Sequence, residues 1–132
     1  MGQENILIPL APDSKDLKAL HHAISLAERI NSKIIVYSME SEDAKNPVIE
    51  ACKDVINRGR ENGLKISFLV TSSPGENTTM DFLQLLDRKR IDLIVLSDTE
   101  EYLEKMVRKL MPSIFCQVVQ VKEKDDINHL HG

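Results

Sequence analysis

Five short apolar runs alternate along the chain with segments whose apolar residues recur every three or four positions. The runs are typical of buried strands, and they lie at 6–10, 33–38, 65–70, 92–97 and 117–122. The periodic segments between them predict amphipathic helices, because this spacing puts the apolar side chains on one face. Strands that alternate with helices in this way predict an α/β fold with a parallel sheet.

Helix-terminating and helix-starting residues support four helices between these strands. Asp13 and Ser14 are suited to cap the first helix, and Pro47 fits the first turn of the second. Gly63 is placed to end the second helix in a left-handed turn. Pro112 is placed to end the fourth, since proline cannot continue a helix interior. Because the first and fourth strands are continuously apolar, we expect helices on both faces of the sheet.

Length and charge narrow the class of protein. A chain of 132 residues suits one domain, which we place at 1–132, with a core at 4–122 and a charged, frayed tail at 123–132. The formal net charge of -4 disfavours nucleic acid as a partner, because such proteins present a basic surface. The chain has no apolar run of membrane-spanning length and no signal-peptide core, so we expect a cytoplasmic protein without a membrane partner. Cys52 and Cys116 are expected to be buried free thiols.

Sequence motifs for catalysis or metal binding are absent. There is no G-x-S-x-G, no phosphate-binding P-loop and no dinucleotide fingerprint. His21 and His22 are adjacent in a helix and point about 100° apart, so they do not chelate one metal. His129 and His131 have H-x-H spacing but no evident third ligand. We therefore expect no catalytic residue, no metal and no cofactor.

Three segments resemble the universal stress protein family. NILIPLAPDSKDLKALHHAISLA is similar to that family's opening strand, V-D-G-S turn and Ala-rich first helix. DLIVLS resembles the fourth strand, commonly DLIVMG, and SIFCQVVQV resembles the closing C-P-V-L-V-V. The resemblance implies a flavodoxin-like, Rossmann-like three-layer sandwich with four helices and five parallel strands in the order 3-2-1-4-5. It also implies a stress-response role, a homodimer that often forms through paired fifth strands, and ATP binding between strands one and four in many members.

The phosphate-binding loop of the ATP-binding members is missing from this chain. Those members follow strand four with G-x-x-G and, nine residues later, G-[ST], which lets backbone N–H groups approach phosphates closely. Here Ser97 stands at the first glycine, Ala11 stands where an acidic residue usually follows strand one, and no glycine occurs between Gly75 and Gly132. Ser97 is followed directly by Asp98, Thr99, Glu100 and Glu101. The carboxylates of Asp98, Glu100 and Glu101 would repel a triphosphate, and they suit a helix N-terminus. We therefore expect weak or absent ATP binding, as in the non-nucleotide-binding branch of the family.

Two segments remain candidate sites. The ligand cleft at the ends of strands one and four is expected to involve Leu10, Ala11, Asp13, Ser97, Asp98 and Thr99. Thr99, or alternatively Asp98, is suited to cap the fourth helix. The second candidate is an anion loop before the third helix, formed by Ser72, Ser73, Gly75, Asn77 and Thr78. The same residue types are recruited by any helix start, so both interpretations of this loop stay open.

The fifth strand predicts the mode of association. QVVQV should lie at an edge of the sheet, and an uncovered edge recruits another strand. The candidate dimer strand comprises Gln117, Val118, Val119, Gln120 and Val121. We accordingly expect a non-catalytic regulatory domain that acts by dimerisation and by binding a protein or small ligand. The alternative is a nucleotide-binding (ATP or AMP) universal stress protein with an altered phosphate loop.

Overall fold

A six-stranded, mostly parallel sheet lies between two layers of helices. The computed structural model describes residues 4–39, 46–71, 78–122 and 127–131. The strands are β1 (Glu4–Leu10), β2 (Ser32–Ser38), β3 (Lys65–Val70), β4 (Leu93–Ser97), β5 (Gln117–Val121) and β6 (Ile127–His131), in the order β3-β2-β1-β4-β5-β6. The helices are α1 (Lys18–Arg29), α2 (Pro47–Glu61), α3 (Thr78–Arg88) and α4 (Glu101–Leu110), and a 3₁₀ turn follows at Met111–Ser113.

The central strands are apolar throughout because both of their faces are covered. Ile6 and Ile8 of β1 pack with α1 and α2, whereas Leu7 between them packs with α3 and α4. Successive side chains of a strand point to opposite faces, so one strand supplies both cores. Ile94 of β4 and Phe82 of α3 are fully buried in the second core. The expectation of an α/β sandwich with helices on both faces is confirmed.

The sixth strand corrects two expectations. Residues 127–131 are not a frayed tail, because they form β6, which runs antiparallel to β5. The fifth strand is therefore not an edge strand. Within the predicted dimer strand of Gln117, Val118, Val119, Gln120 and Val121, the last four residues already pair with β6. Ile127 and Leu130 hold β6 in place by packing against the two cores. Residues 123–126 of the predicted tail lie outside the described part of the chain.

Two predicted helix starts are also wrong. The first helix begins at Lys18 rather than after Asp13 or Ser14, and the Lys18 N–H donates to Asp16 Oδ1 at 3.1 Å. The fourth helix begins at Glu101, so its N-cap is Glu100 rather than Thr99 or Asp98. In both places the polar side chains are used in contacts between distant segments, which compete with local capping. The predicted place of Pro47 in the first turn of α2 is confirmed.

The second helix ends in the left-handed turn that the sequence predicts. Gly63 has φ of 87°, and its N–H and that of Leu64 donate to the carbonyls of Arg60 and Gly59 at 3.0 Å each. This pattern is the Schellman motif, which needs a left-handed residue at the position of Gly63. A Cβ added there would meet no atom within 4 Å, so only the backbone conformation restricts the residue type.

Replacing Gly63 by Ala is expected to lower the free energy of unfolding by about 1 kcal/mol, because a side chain disfavours positive φ. Urea denaturation measures this difference. Gly63→Asn is the matched control and should lose less, because Asn tolerates the left-handed region better than Ala. Equal stability of the Ala variant and the parent would contradict the assignment.

Candidate functional site

The carboxyl ends of β1 and β4 form the crevice in which open α/β folds bind ligands. The two strands are parallel neighbours in the sheet, so the segments that leave them lie side by side. Leu10, Ala11 and Ser97 are buried there, and Asp98 and Thr99 are half-buried. Asp13, the remaining residue of the predicted cleft, is exposed.

A network of polar side chains and one backbone N–H, that of Ala11, links these two segments, and we call it the crevice cluster. Each member hydrogen bonds or pairs with another member across or within the segments: Ala11, Ser14, Asp16, Lys18, Ser97, Asp98, Thr99 and Glu100. Four of these residues were in the predicted cleft. Ser14, Asp16, Lys18 and Glu100 were not, and they make the contacts that close the crevice.

The backbone amides of the turn after β4 are used within the protein. The Asp98 N–H donates to the Val121 carbonyl at 2.9 Å, and the Glu100 N–H donates to the Ser97 carbonyl at 3.1 Å. The Thr99 N–H donates to Ser97 Oγ at 3.3 Å. A phosphate-binding turn presents such groups to the anion instead. In this conformation, none of these three N–H groups is available to a ligand.

Glu100 is a buried carboxyl group, with 2% of its surface exposed. Ser14 Oγ donates to Glu100 Oε2 at 2.7 Å and accepts from the Ala11 N–H at 2.9 Å. Burial raises the pKa of Glu100 to about 7, although the Ser14 hydrogen bond opposes the shift and the nearby charges of Asp13 and Asp16 add to it. Glu100 therefore titrates near neutral pH. Its hydrogen bond with Ser14 joins the β1–α1 segment to the start of α4.

The sequence contains a signal for the burial of Glu100. Its position is three residues before Leu103 and seven before Val107, both of which are fully buried. Residues with this spacing share one helix face, which here is the face toward the core. We instead interpreted Glu100 as a favourable charge at a helix N-terminus, which the same position also permits.

A second chain of hydrogen bonds runs from Ser97 to Asp16. Thr99 Oγ1 donates to Asp16 Oδ2 at 2.5 Å, and Ser97 Oγ lies 3.0 Å from Thr99 Oγ1. Burial acts to raise the pKa of Asp16, but hydrogen bonding by Thr99, by the Lys18 backbone and by Ser97 outweighs it, so this pKa lies below its ordinary value. Asp16 is thus a stable carboxylate that accepts from both segments.

An ion pair between Lys18 and Asp98 lies at the mouth of the crevice. Lys18 Nζ is also 4.0 Å from Asp16 Oδ2. The sequence suggested that Asp98, Glu100 and Glu101 would repel a triphosphate. Asp98 is instead compensated by a lysine and Glu100 is buried, whereas Glu101 remains exposed. The amide hydrogen bonds, more than charge repulsion, therefore distinguish this crevice from a phosphate site.

A cavity of about 680 Å³ lies between α1 and the start of α2, and we call it the α1–α2 cavity. Its size falls in the range of small-molecule sites. Asp16 and Lys18 line it and also belong to the crevice cluster. The lining combines basic and imidazole groups with apolar side chains, among them Lys15, His21, His22, Leu17, Val48 and Val121. His21 is exposed and His22 half-buried, so the two rings have different surroundings.

Most of the predicted anion loop falls in a part of the chain that the structure does not describe. Ser72, Ser73, Gly75 and Asn77 lie outside the described residues. Thr78 is the first residue of α3. It lines a small pocket of about 280 Å³ together with Pro12, Asp13, Met39 and Tyr102. This pocket lies next to the crevice cluster, at the carboxyl ends of β1 and β2.

Thiol and metal chemistry find little support in the described residues. Cys52 and Cys116 are free thiols. Burial raises the pKa of Cys52 to about 12 and that of Cys116 to about 11, so both thiols stay protonated at neutral pH and are weak nucleophiles. Within the four described ranges, no group of three or more His, Cys, Asp and Glu residues could hold a metal ion. No helix in those ranges has the length and apolar character needed to cross a membrane.

The architecture is similar to that of solved universal stress proteins. A crystal structure of a universal stress protein in complex with cAMP has a TM-score of 0.59 and 16% identity, over 94% of this chain and 100% of that chain. The universal stress protein from Archaeoglobus fulgidus in complex with dAMP has a TM-score of 0.59 and 15% identity, over 92% of this chain and 100% of that chain. This chain has the universal stress protein fold. No protein-family model and no curated protein matches its sequence.

The universal stress protein fold confirms the resemblance that three sequence segments indicated. It also confirms the predicted positions of the first five strands, in the order 3-2-1-4-5. The sheet has six strands rather than five, because β6 is added beside β5.

Proposed function

We propose that the chain is a universal-stress-protein-like regulatory domain that is non-catalytic and binds a small ligand or a protein partner. It does not hold a nucleoside triphosphate in the crevice between β1 and β4. The observation that supports this proposal is the internal use of the Asp98, Thr99 and Glu100 N–H groups.

Opening the crevice for a triphosphate would require several contacts to be broken together. Each of the three amide hydrogen bonds contributes roughly 0.5–1.5 kcal/mol. The Ser14–Glu100 contact and the Lys18–Asp98 pair would also have to be rearranged, since they join the two sides of the crevice. No glycine is present in this turn to permit a different backbone path.

The hydroxyl groups of the crevice cluster are poorly placed for nucleophilic catalysis. Ser14 Oγ and Glu100 form a hydroxyl–carboxyl pair at 2.7 Å, but the two residues are only 5% and 2% exposed. A substrate has no access to this pair in the present conformation. Thr99 is half-buried and directs its hydroxyl proton to Asp16, whose pKa is lowered, so that carboxylate is a weak base.

A small ligand is best accommodated by the α1–α2 cavity. Its lining offers the Lys15 ammonium group and two imidazoles beside the apolar side chains of Leu17 and Val48. This combination suits a small organic anion with an apolar body. Such a ligand would contact Asp16 and Lys18, so its binding would alter the hydrogen bonds and the ion pair that these residues make in the crevice cluster.

Titration of the protein with Mg·ATP by isothermal calorimetry is expected to give no saturable binding at ligand concentrations up to about 1 mM. Two variants show where any binding that is found takes place. Ala11→Val enlarges a fully buried side chain between the two segments of the crevice, and Ser25→Tyr fills the α1–α2 cavity from an exposed lining position; circular dichroism verifies that both variants fold. Submillimolar ATP binding that Ala11→Val abolishes would contradict the proposal. Native mass spectrometry of the purified protein tests for a retained small ligand, which Ser25→Tyr should remove.

A second candidate function is binding of an adenine mononucleotide, since two proteins of the same fold are seen with cAMP and dAMP. A mononucleotide requires fewer phosphate contacts than ATP. The small pocket beside Met39 and Tyr102 offers an apolar wall and an aromatic ring for a base. The same titration with AMP and cAMP tests this candidate, and Tyr102→Ser should weaken any such binding.

A further inference from the structure

One aromatic side chain projects from the surface at the end of the sheet opposite the crevice. Phe115 is 96% exposed, whereas the preceding residue, Ile114, is 2% exposed. The backbone on both sides is held, because the Ile114 N–H donates to the Met111 carbonyl at 3.0 Å and the Gln117 N–H donates to the Asp92 carbonyl at 3.2 Å. Phe115 is thus a fixed apolar projection rather than part of a loose loop.

A cavity of about 380 Å³ lies directly beside this side chain, and Phe115 forms part of its wall. Leu83 and Leu86 of α3 and the buried Ile91 supply apolar surface. Asp87 and Arg90 line the same cavity and are both exposed. We call Phe115 and this cavity the Phe115 face. The face therefore combines an apolar projection, an apolar recess and one exposed charge of each sign.

We propose that the Phe115 face is the contact between two copies of this chain, with Phe115 of each copy inserted into the cavity of the other. A two-fold axis brings the same patch of both copies together. A patch that holds both the projection and the recess therefore forms two equivalent insertions. The charges support a second copy as the occupant. Asp87 of one copy can pair with Arg90 of the other, and the reciprocal pair forms on the other side of the axis.

The described sheet edges offer less suitable routes to a dimer. The edge of β5 is covered by β6. The β3 edge carries the exposed Lys65, and Arg60 Nε donates to the Ile66 carbonyl at 2.8 Å, which occupies an acceptor of that strand. The free edge of β6 is the remaining alternative route, and the experiment below distinguishes it.

The expected dimer is reversible. A buried Phe side chain contributes about 150–250 Å² of contact area, so two insertions supply a central part of the roughly 800 Å² per partner found in stable interfaces. Surrounding surface must supply the rest. We therefore expect a dissociation constant in the micromolar range, and this expectation does not depend on the proposed ligand or on the crevice.

Sedimentation equilibrium of the full chain, over micromolar to submillimolar concentrations, tests the proposal. The parent should show a concentration-dependent monomer–dimer equilibrium, and Phe115→Ser should weaken association by at least about tenfold, as expected for a central aromatic contact. Ile30→Ser removes another exposed large apolar side chain, at the end of α1, and should leave association unchanged. Both substitutions are at exposed positions, and circular dichroism verifies that the variants fold.

Charge exchange makes the test specific to a two-fold contact. Asp87→Arg and Arg90→Asp should each weaken the dimer, because each puts like charges opposite one another. Mixing the two variants, or combining both substitutions in one chain, should restore association. A parent that stays monomeric at submillimolar concentration would overturn the proposal. It would also be overturned by a dimer that Phe115→Ser leaves intact, which would indicate a contact elsewhere, with the free edge of β6 as the first candidate.

Discussion

Glu100→Gln is expected to stabilise the protein at pH 8 by up to about 3 kcal/mol and to have little effect at pH 4.5. Burial raises the pKa of the folded Glu100 to about 7, above its ordinary value of 4.5. The unfolded chain therefore loses this proton at lower pH than the folded chain does. The stability contributed by the protonated carboxyl is complete below about pH 4.5 and is lost as the pH rises to about 7. Gln cannot ionise, and it still offers an oxygen to the Ser14 hydroxyl.

The comparison isolates one group, because all other titrations are shared by parent and variant. Urea denaturation at pH 4.5, 6 and 8 gives the difference in unfolding free energy at each pH. Glu101→Gln is the matched control, because Glu101 is exposed and lies one residue further along. The free energy of unfolding of Glu101→Gln should differ from that of the parent by the same amount at all three pH values. A constant difference between Glu100→Gln and the parent over this pH range would show that Glu100 has an ordinary pKa.

The sequence predicted the fold because its central elements are locally unambiguous. Leu93–Ser97 and residues 6–10 of β1 are buried on both faces, and a nearly continuous apolar run satisfies that requirement. Gly63 likewise had one structural interpretation, a left-handed helix end, and the structure has it there. Such features depend on residues that are near each other in the chain, so they can be predicted without knowledge of the tertiary contacts.

The crevice cluster could be predicted only in part, because its contacts join distant segments. Ser14 and Glu100 are separated by 86 positions, and Lys18 and Asp98 by 80. Local rules gave Ser14 and Asp98 the role of helix caps, which is what these residue types most often do. Tertiary hydrogen bonds took precedence over those local roles. The loss of the glycine-rich loop was visible in the sequence, but the internal use of its amides was not.

The last strand was missed for a related reason. The segment INHLH at 127–131 contains only two apolar residues and follows a charged stretch, so its pattern is weak. It is a strand because β5 beside it has unpaired backbone groups, and pairing satisfies both. The same physical requirement led us to predict a dimer through β5. The chain meets that requirement within one molecule, and this suggests how to expose the edge experimentally.

Ending the chain after Lys122 is expected to lower the free energy of unfolding by about 3 kcal/mol and to create a new dimer through β5. Removing β6 takes away the packing of Ile127 and Leu130, and burial of such a side chain contributes about 1.5–3 kcal/mol when complete. It also leaves the edge of QVVQV uncovered, and such an edge recruits an identical strand. Urea denaturation measures the first effect and sedimentation the second.

A Phe115→Ser background and an Asn128→Pro control show whether the new dimer forms through β5. Carrying out the truncation with Phe115→Ser removes association through the Phe115 face, so that a dimer formed by the shortened chain reports on β5 alone. Asn128→Pro keeps the full length of the tail but removes a backbone donor opposite Gln120, so it should detach β6 and produce the same dimer. If the shortened chain stays monomeric while still folded, β6 does not serve to block the β5 edge. Its role would then be confined to covering Val118–Val121 and the ends of the two cores.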